Sequence, residues 1–310
     1  MRRRGFGFRN NPSKILILLF CLFIIPSFSS AHSSILILKS LNLGPYNKAV
    51  RGIEKVLGGS VRVYNIHGSL RQGRKILKQH PGVNVIVSVG WPATDSAVKY
   101  GGGRPVVFSM ILSVEWPLIK NQNATGVFMD TSVHEQLYVL LRAFPKLKSV
   151  GVLYNPAKTG PEIRDAKMVS RELGFHLDAA AVSSPRQVPS MLRKILPHIQ
   201  ALWMVPDSSV LTSDSFMFMN EKMIEHHLPF LVFSSEFLKV GGLFALSPSY
   251  KYIGKQTGVL AQEVLNGTPP RQIQPSYPTH FSLVINRRIL RESRVHFPSA
   301  ILAAAKQVGD

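Results

Sequence analysis

The chain has 310 residues, 45% hydrophobic and 17% charged, with 37 Lys and Arg against 17 Asp and Glu and a formal net charge of +20. Its single cysteine, Cys21, excludes a disulfide framework. The basic residues are scattered between apolar helix positions, as in Lys146/Lys148, Arg164/Lys167 and Arg193/Lys194, with no recognition helix, zinc module or aromatic-basic strand beside them, so no nucleic-acid partner is expected. The surplus charge is compatible with an anionic membrane surface or an acidic partner.

The chain opens on a basic leader of Arg2, Arg3, Arg4, Arg9 and Lys14, followed by an apolar run over residues 15–25 and then Pro26. With Ser29 and Ala31 in small-x-small spacing, residues 1–31 read as a signal peptide cleaved near Ala31/His32. The run is too short for a transmembrane helix, which needs about 20 apolar residues. Phe20 stands where a lipoprotein signal needs a small residue before Cys21. The expected product is a cysteine-free periplasmic protein whose size suits two lobes of roughly 100–150 residues each.

Apolar runs at 35–38, 61–66, 83–89 and 106–108 predict strands buried on both faces, as in parallel sheets. A second series follows at 150–154, 176–182, 201–205, 230–233 and 243–246, with amphipathic segments between. Pro45 opens a predicted helix whose Tyr46, Ala49, Val50, Ile53 and Leu57 form one stripe. Ser132 and Glu135 have capping-box spacing ahead of Leu137, Leu140, Leu141 and Phe144. Ser249 is placed to cap a helix with Ile253, Thr257, Leu260, Ala261 and Val264 inward, and Gly267, Pro269 and Pro270 stop it. The cluster Phe216 to Met219 with Met223 reads as core packing, and His226-His227 as a helix-end pair.

Alternating strand and helix implies open, mostly parallel sheets, and two series imply two of them. Residues 112–125, with Pro117, Asn121, Asn123 and Thr125, break the periodicity and read as the join, while 246–250 and 275–281 read as return crossings. The expected architecture is α/β, two Rossmann-like lobes with a hinge: residues 32–113 with 249–279, and residues 114–248 with 280–310.

Ordered segments carry a resemblance. Asn42-Leu43-Gly44-Pro45-Tyr46-Asn47, Ser88-Val89-Gly90, Pro105-Val106-Val107-Phe108-Ser109-Met110, Val150-Gly151-Val152-Leu153-Tyr154-Asn155-Pro156, Leu202-Trp203-Met204-Val205-Pro206-Asp207-Ser208 and Gly241-Gly242-Leu243-Phe244-Ala245-Leu246-Ser247-Pro248 together resemble the ABC-transporter substrate-binding family that includes tryptophan and tyrosine binders. The resemblance implies the type I periplasmic-binding fold, a small-molecule solute between the lobes, and delivery to a membrane permease. Residues 111–123 depart from the neutral loop of the amino-acid binders, carrying Glu115, Trp116 and Lys120.

In open α/β sheets ligands sit beyond the carboxyl ends of the strands. That rule selects Asn42, Tyr46, Ser88, Gly90, Trp91, Ser109, Tyr154, Asn155, Asp207, Ser234 and Glu236 as candidate ligand contacts. Such groups can hold a zwitterion, with Asp207 or Glu236 on an ammonium. Each has a plainer role: Asn42 and Ser109 can close turns, Asp207 can cap the following helix, Tyr154 can end a core strand, Trp91 can cover the rim, and Glu236 can be solvated at a helix start. No nucleophile elbow, HExxH metal motif or glycine-rich phosphate loop occurs, so neither catalytic residues nor a metal or other cofactor are expected. The reading is a monomeric receptor of an ABC importer. A periplasmic sensor docking on a membrane kinase stands as the alternative partner class.

Overall fold

The computed structural model describes residues 35–58 and 61–309; the basic leader, the apolar run and the expected cleavage point lie outside the described residues. Strands β1 (Ile35–Lys39), β2 (Arg62–Asn65), β3 (Val85–Val89), β4 (Val106–Ile111) and β5 (Ala124–Phe128) make one sheet in the order β2-β1-β3-β4-β5, parallel throughout. Helices α1 (Gly44–Leu57), α2 (Leu70–Gln79) and α3 (Trp91–Tyr100) connect its strands.

The second sheet contains β6 (Ser149–Tyr154), β7 (His176–Ala181), β8 (Leu202–Trp203), β9 (Phe230–Val232), β10 (Phe244–Pro248), β11 (Phe281–Asn286) and β12 (Lys306–Val308), in the order β12-β11-β10-β9-β8-β6-β7. Only the β10/β11 pair is antiparallel. Its helices are α4 (Val133–Ala143), α5 (Gly160–Glu172), α6 (Val188–Ile195) and α7 (Ser213–Glu225). Helix α8 (Tyr250–Leu265) then returns to the first sheet, and α9 (Arg287–Ser293) and α10 (Ser299–Ala304) follow β11. Helices cover both faces of both sheets, which is why strands such as Val85–Val89 are buried along their whole length.

Most expected elements form, and the differences have local causes. The join expected over residues 112–125 holds a 3₁₀ turn, Ser113–Leu118, and the start of β5, so the first sheet extends past the boundary at 113/114 and the first crossing falls after Phe128. The polar residues Asn121, Asn123 and Thr125 concealed a short strand that is nonetheless fully buried. The segment expected as a return crossing from 275 runs into β11, and β12 is a further strand. Of the capping pair, the Ser132 hydroxyl accepts from the Glu135 N–H at 3.2 Å. Ser249 occupies the first cap position of α8 without a side-chain cap. Met219, Met223 and Phe216 are buried, whereas Met217 points to solvent. His226 caps the end of α7 as expected.

Helix α8 supplies what the first sheet lacks. It lies along α1 over the face formed by β1, β3 and β4, burying Ile253, Ala261 and Val264 with Ala49, Val50 and Ile53. Small residues let the backbones approach closely: a Cβ on Gly254 would meet the Ala49 carbonyl oxygen at 1.9 Å, and one on Gly52 would meet the Lys251 carbonyl oxygen at 2.2 Å. Backbone atoms cannot swing aside as a side-chain end can, so Gly254→Ala forces the helices apart. An overpacked helix contact of this kind costs about 1–3 kcal/mol, and the melting temperature should fall by several degrees. Gly44→Ala, where a new Cβ meets nothing within 4 Å, should leave it within about 0.5 kcal/mol in the same melt.

Candidate functional site

Three crossings join the two sheets. The first runs from β5 to α4 through Met129, Asp130 and Thr131, the second from β10 to α8 at Ser249, and the third from α8 to β11. The third leans on β5: Ser276 donates to the Gly126 carbonyl and accepts from the Phe128 N–H at 2.9 Å. The first is fixed from the second sheet's core, where the Trp203 indole donates to Gln136 Oε1 at 2.8 Å and Gln136 Nε2 donates to the Thr131 carbonyl at 2.7 Å. Both side chains in that relay are buried, so the start of α4 is held by hydrogen bonds that water does not contest.

Where the crossings meet the carboxyl ends of the strands, a cavity of about 170 Å³ opens between the sheets. The first sheet contributes Leu43, Pro45, Tyr46 and Leu112, the second contributes Phe233, Ser234 and Glu236, and the crossings contribute Met129, Asp130, Pro248 and Tyr250. No Lys, Arg or His lines it. A larger open groove of about 710 Å³ lies at the opposite, amino-terminal ends of β6, β8 and β9, lined by Lys146, Gln200, His227, Pro229 and Arg294 among others. The strand-end rule for open α/β sheets favours the smaller cavity.

The expected contact residues divide between cavity and scaffold. Tyr46, Ser234 and Glu236 line the cavity. Gly90, at φ 84°, starts α3 where a Cβ would stand 2.8 Å from the Tyr46 hydroxyl, so it gives Tyr46 its room. Asn42 is exposed and accepts from Lys39 Nζ at 3.1 Å. Ser88 is buried against Thr94, its hydroxyl 2.9 Å from Thr94 Oγ1. Ser109 accepts from Thr257 Oγ1 of α8 at 2.9 Å, which ties β4 to the returning helix. Trp91 packs on the apolar cluster of Phe108, Ile111, Ile119 and Phe128, and Tyr154 ends β6 against the core.

Asp207 and Asn155 form a clamp. Asp207 is buried, and its Oδ2 accepts from the Asn155 N–H at 2.8 Å and from Thr159 Oγ1 at 2.6 Å, while Oδ1 accepts from the Ser209 N–H at 2.8 Å. Asn155 Nδ2 reaches Ser209 Oγ at 3.0 Å. The carboxylate thus pins the loop after β6 to the loop after β8. Glu236 is exposed and ion-paired with Lys239.

Sequence reasoning did not select Asp130, Glu115 or Glu162 as site residues, although it noted Glu115 as a departure of residues 111–123. At the end of β4 the register shifts, and Met110 takes a left-handed φ of 62°. This bulge turns Leu112 and Ser113 onto the first crossing, where the Ser113 N–H and hydroxyl both donate to Asp130. Burial pushes the Asp130 carboxyl up to about 6 against those two bonds. Glu115 accepts from the Leu112 N–H at 2.8 Å, and burial, with Asp130 as a lesser cause, raises its pKa.

Glu162, in the first turn of α5, is the most perturbed. Burial, then the charges of Asp130, Asp207 and Asp165, push its carboxyl up to about 8, although a helix amino terminus favours the anion. Its Oε2 is shut off from solvent and has no hydrogen-bond partner. Tyr277 of the third crossing is pushed up to about 12 by burial and by the fields of Asp130, Glu162 and Asp165, against a hydrogen bond to Ser113. Asp130 belongs both to the cavity lining and to this carboxylate group. The available signal was an acid just after a buried strand and another after Gly160-Pro161, both readable as ordinary first-turn acids.

Two helix-covered sheets with a cavity at their facing strand ends define a two-lobed α/β binding protein of the type I periplasmic-binding arrangement. The chain belongs to the ABC transporter substrate binding protein family, whose model matches residues 49–309. It is 20% identical, over 88% of its length and 89% of the relative's, to an uncharacterised protein of Rickettsia prowazekii. It is also 20% identical to a tyrosine-binding protein of Clostridioides difficile, over 67% of its length and 62% of that protein. Among solved structures it shares its fold with a ligand-free, open substrate-binding protein with adhesive properties from Clostridium difficile, at a TM-score of 0.72, 19% identity and coverage of 89% and 99% of the two chains. An L-Trp complex from Streptococcus pneumonia gives a TM-score of 0.61, 20% identity and the same coverage.

The clamp geometry makes Asp207→Asn a test of scaffold against contact. The amide would turn a donor toward an N–H or hydroxyl that now donates to the carboxylate. Losing charge-assisted bonds and leaving a buried donor opposed should cost about 2–4 kcal/mol of ligand-free stability, read as a lower midpoint in denaturant melts. An unchanged midpoint would show that the clamp does not hold the loops.

Proposed function

We propose that this chain is the periplasmic receptor of an ABC importer, holding one small, amino-acid-like solute between its two sheets and performing no chemistry on it. The observation that carries the reading is the cavity at the strand ends, built by both sheets and by the crossings that join them. A solute touching both sides links them, and its binding energy favours the closed arrangement over an open one. The membrane permease would then distinguish loaded from empty receptor by shape.

Cavity size bears on the solute. About 170 Å³ is well below the roughly 300–1,000 Å³ of drug-sized sites, and it matches a molecule of amino-acid scale. The lining offers aromatic faces from Tyr46, Phe233 and Tyr250, hydroxyl groups and carboxylates. The curated tyrosine binder and the L-Trp complex support the same size class. Export and a monomeric state complete the reading, with maturation at His32.

A solute that binds only the folded protein raises its melting temperature by mass action, by about 2.7 kcal/mol of stability at a hundredfold excess over Kd. A thermal-shift screen across amino acids, amines, nucleobases and organic acids should find a stabiliser, and small-angle scattering with that stabiliser should give a smaller radius of gyration. A stabiliser that leaves the radius unchanged while contacting one sheet alone would contradict closure around the solute.

A further inference from the structure

We propose that the solute is a net cation bearing a primary amine or guanidinium group, and that Glu162 together with Asp130 receives that group. The inference deepens the receptor reading and rests on it. It starts from a mismatch between the chain's composition and its cleft. With 37 Lys and Arg in the sequence, a positive partner for every buried carboxylate was within easy supply. Yet of the four ion pairs among the described residues three lie elsewhere, on Lys99–Asp95, Lys222–Glu225 and Arg288–Glu292, and the fourth joins the exposed Glu236 of the cavity rim to Lys239. The acids at the crossings have none.

The oxygen count narrows the position. Asp130 accepts from Ser113 with both its oxygens, and Asp207 is occupied by Asn155, Thr159 and Ser209. Among the carboxylate oxygens of the described residues, Glu162 Oε2 alone is both closed to solvent and unpartnered. A buried polar atom without a partner loses its hydration for nothing in return, and a buried anion beside other anions is worse still. A donor carrying positive charge answers both deficits, since it hydrogen-bonds Oε2 and offsets the fields of Asp130, Asp207 and Asp165.

The chemistry of the donor set selects an organic cation. Among the described residues no group of three or more His, Cys, Asp and Glu side chains is arranged to hold a metal ion. An amine or guanidinium needs only one or two carboxylates and apolar or aromatic walls for its carbon frame. Tyr277 stands beside the group with its phenol kept protonated, and Tyr46, Phe233 and Tyr250 wall the adjoining cavity. No lining Lys, Arg or His offers a counter-charge to a solute carboxylate there.

The empty site has one other way to relieve the repulsion, which is to hold a proton on Glu162, whose pKa is pushed up to about 8. Cation and proton then compete. The titratable groups coupled to Glu162 by their charges are Asp130, Asp207, Asp165 and Tyr277, and of these the Asp130 carboxyl is also pushed up, to about 6. Binding must expel the Glu162 proton below about pH 8, so affinity for a cation rises with pH up to that point and then levels off.

Calorimetry with putrescine, agmatine, L-arginine, L-tryptophan, L-tyrosine and succinate tests this at pH about 6, about 7.5 and about 9. The proposal expects putrescine, agmatine or L-arginine to bind in preference to the zwitterions and the dianion, with affinity increasing across the series and proton release at the lower pH. Glu162→Gln should weaken that binding about ten- to a hundredfold and abolish most of its pH dependence. Removal of a repelled charge should leave the variant's ligand-free melting temperature equal or higher at alkaline pH, which separates lost binding from lost folding. The pH series on unaltered protein needs no variant at all. Preferential binding of L-tryptophan, L-tyrosine or succinate with unchanged affinity in Glu162→Gln would overturn the cation while leaving the receptor reading intact. Failure of every probe, together with an empty wider solute screen, would overturn both.

Discussion

The contact between α1 and α8 is the constraint from which the molecule's form follows. A parallel sheet must be covered on both faces, and residues 35–128 supply enough helix for only part of the first sheet. The missing cover comes from beyond β10, after the chain has built most of a second sheet. The chain therefore crosses three times, once to begin the second sheet, once to deliver α8, and once to return for β11. Glycines at the helix contact make the delivery tight, and the Thr257–Ser109 hydrogen bond fixes its register on β4. Three crossings join the two sheets, and strand ends facing one another across them form a cleft. The cleft requires no separate explanation.

Electrostatics gives that cleft its character. The sequence carries a large positive surplus, yet Asp130 of the first crossing, with Glu115, Glu162 and Asp207 at the strand ends around it, is in no ion pair among the described residues; Glu115, Asp130 and Asp207 are held by hydrogen bonds instead. Two of these acids serve the scaffold: Asp207 locks two loops of the second sheet together, and Asp130 receives the loop that the β4 bulge delivers. Their charges are then fixed in place for structural reasons and fall on Glu162, which has no such duty of its own. A group whose charge is disfavoured by neighbours that cannot move is poised to respond to whatever positive charge arrives. Positive exterior and negative cleft coexist because surface charge is screened within about 10 Å at ordinary salt, whereas buried groups are not.

Much of the fold was legible from periodicity. Runs such as Val85–Val89 and Phe244–Pro248 are apolar because helices cover both faces, and the stripes of α1 and α8 mark the contact that closes the first sheet. Three strands escaped notice: β5 contains Thr125 and Gly126, β12 is exposed along its length, and β11, although apolar at Phe281, Leu283, Val284 and Ile285, follows directly on the segment read as a crossing. The site was less legible because strand-end position does not tell which way a side chain faces. Ser88 and Ser109 stand in the expected places but turn into helix contacts, with Thr94 and Thr257. Asp130 and Glu162 look in sequence like helix-start acids, and only the fold brings one from the first crossing and one from the second sheet's α5 into the same electrostatic field. Hydrogen-bond saturation, which separates Asp207 from Glu162, is a property of three dimensions that no spacing encodes.

The central claim is that Glu162, in the field of the cavity-lining Asp130, is a carboxyl with no compensating charge. Carbon-detected magnetic resonance of protein labelled at the glutamate carboxyl, titrated from pH about 4 to about 10 and assigned by the loss of one signal in Glu162→Gln, measures it directly. The account predicts that the Glu162 signal titrates near 8, well apart from the exposed glutamates. A Glu162 midpoint in the ordinary range near 4.5 would mean that water or an internal partner already satisfies the group, and the electrostatic account of the cleft would be wrong.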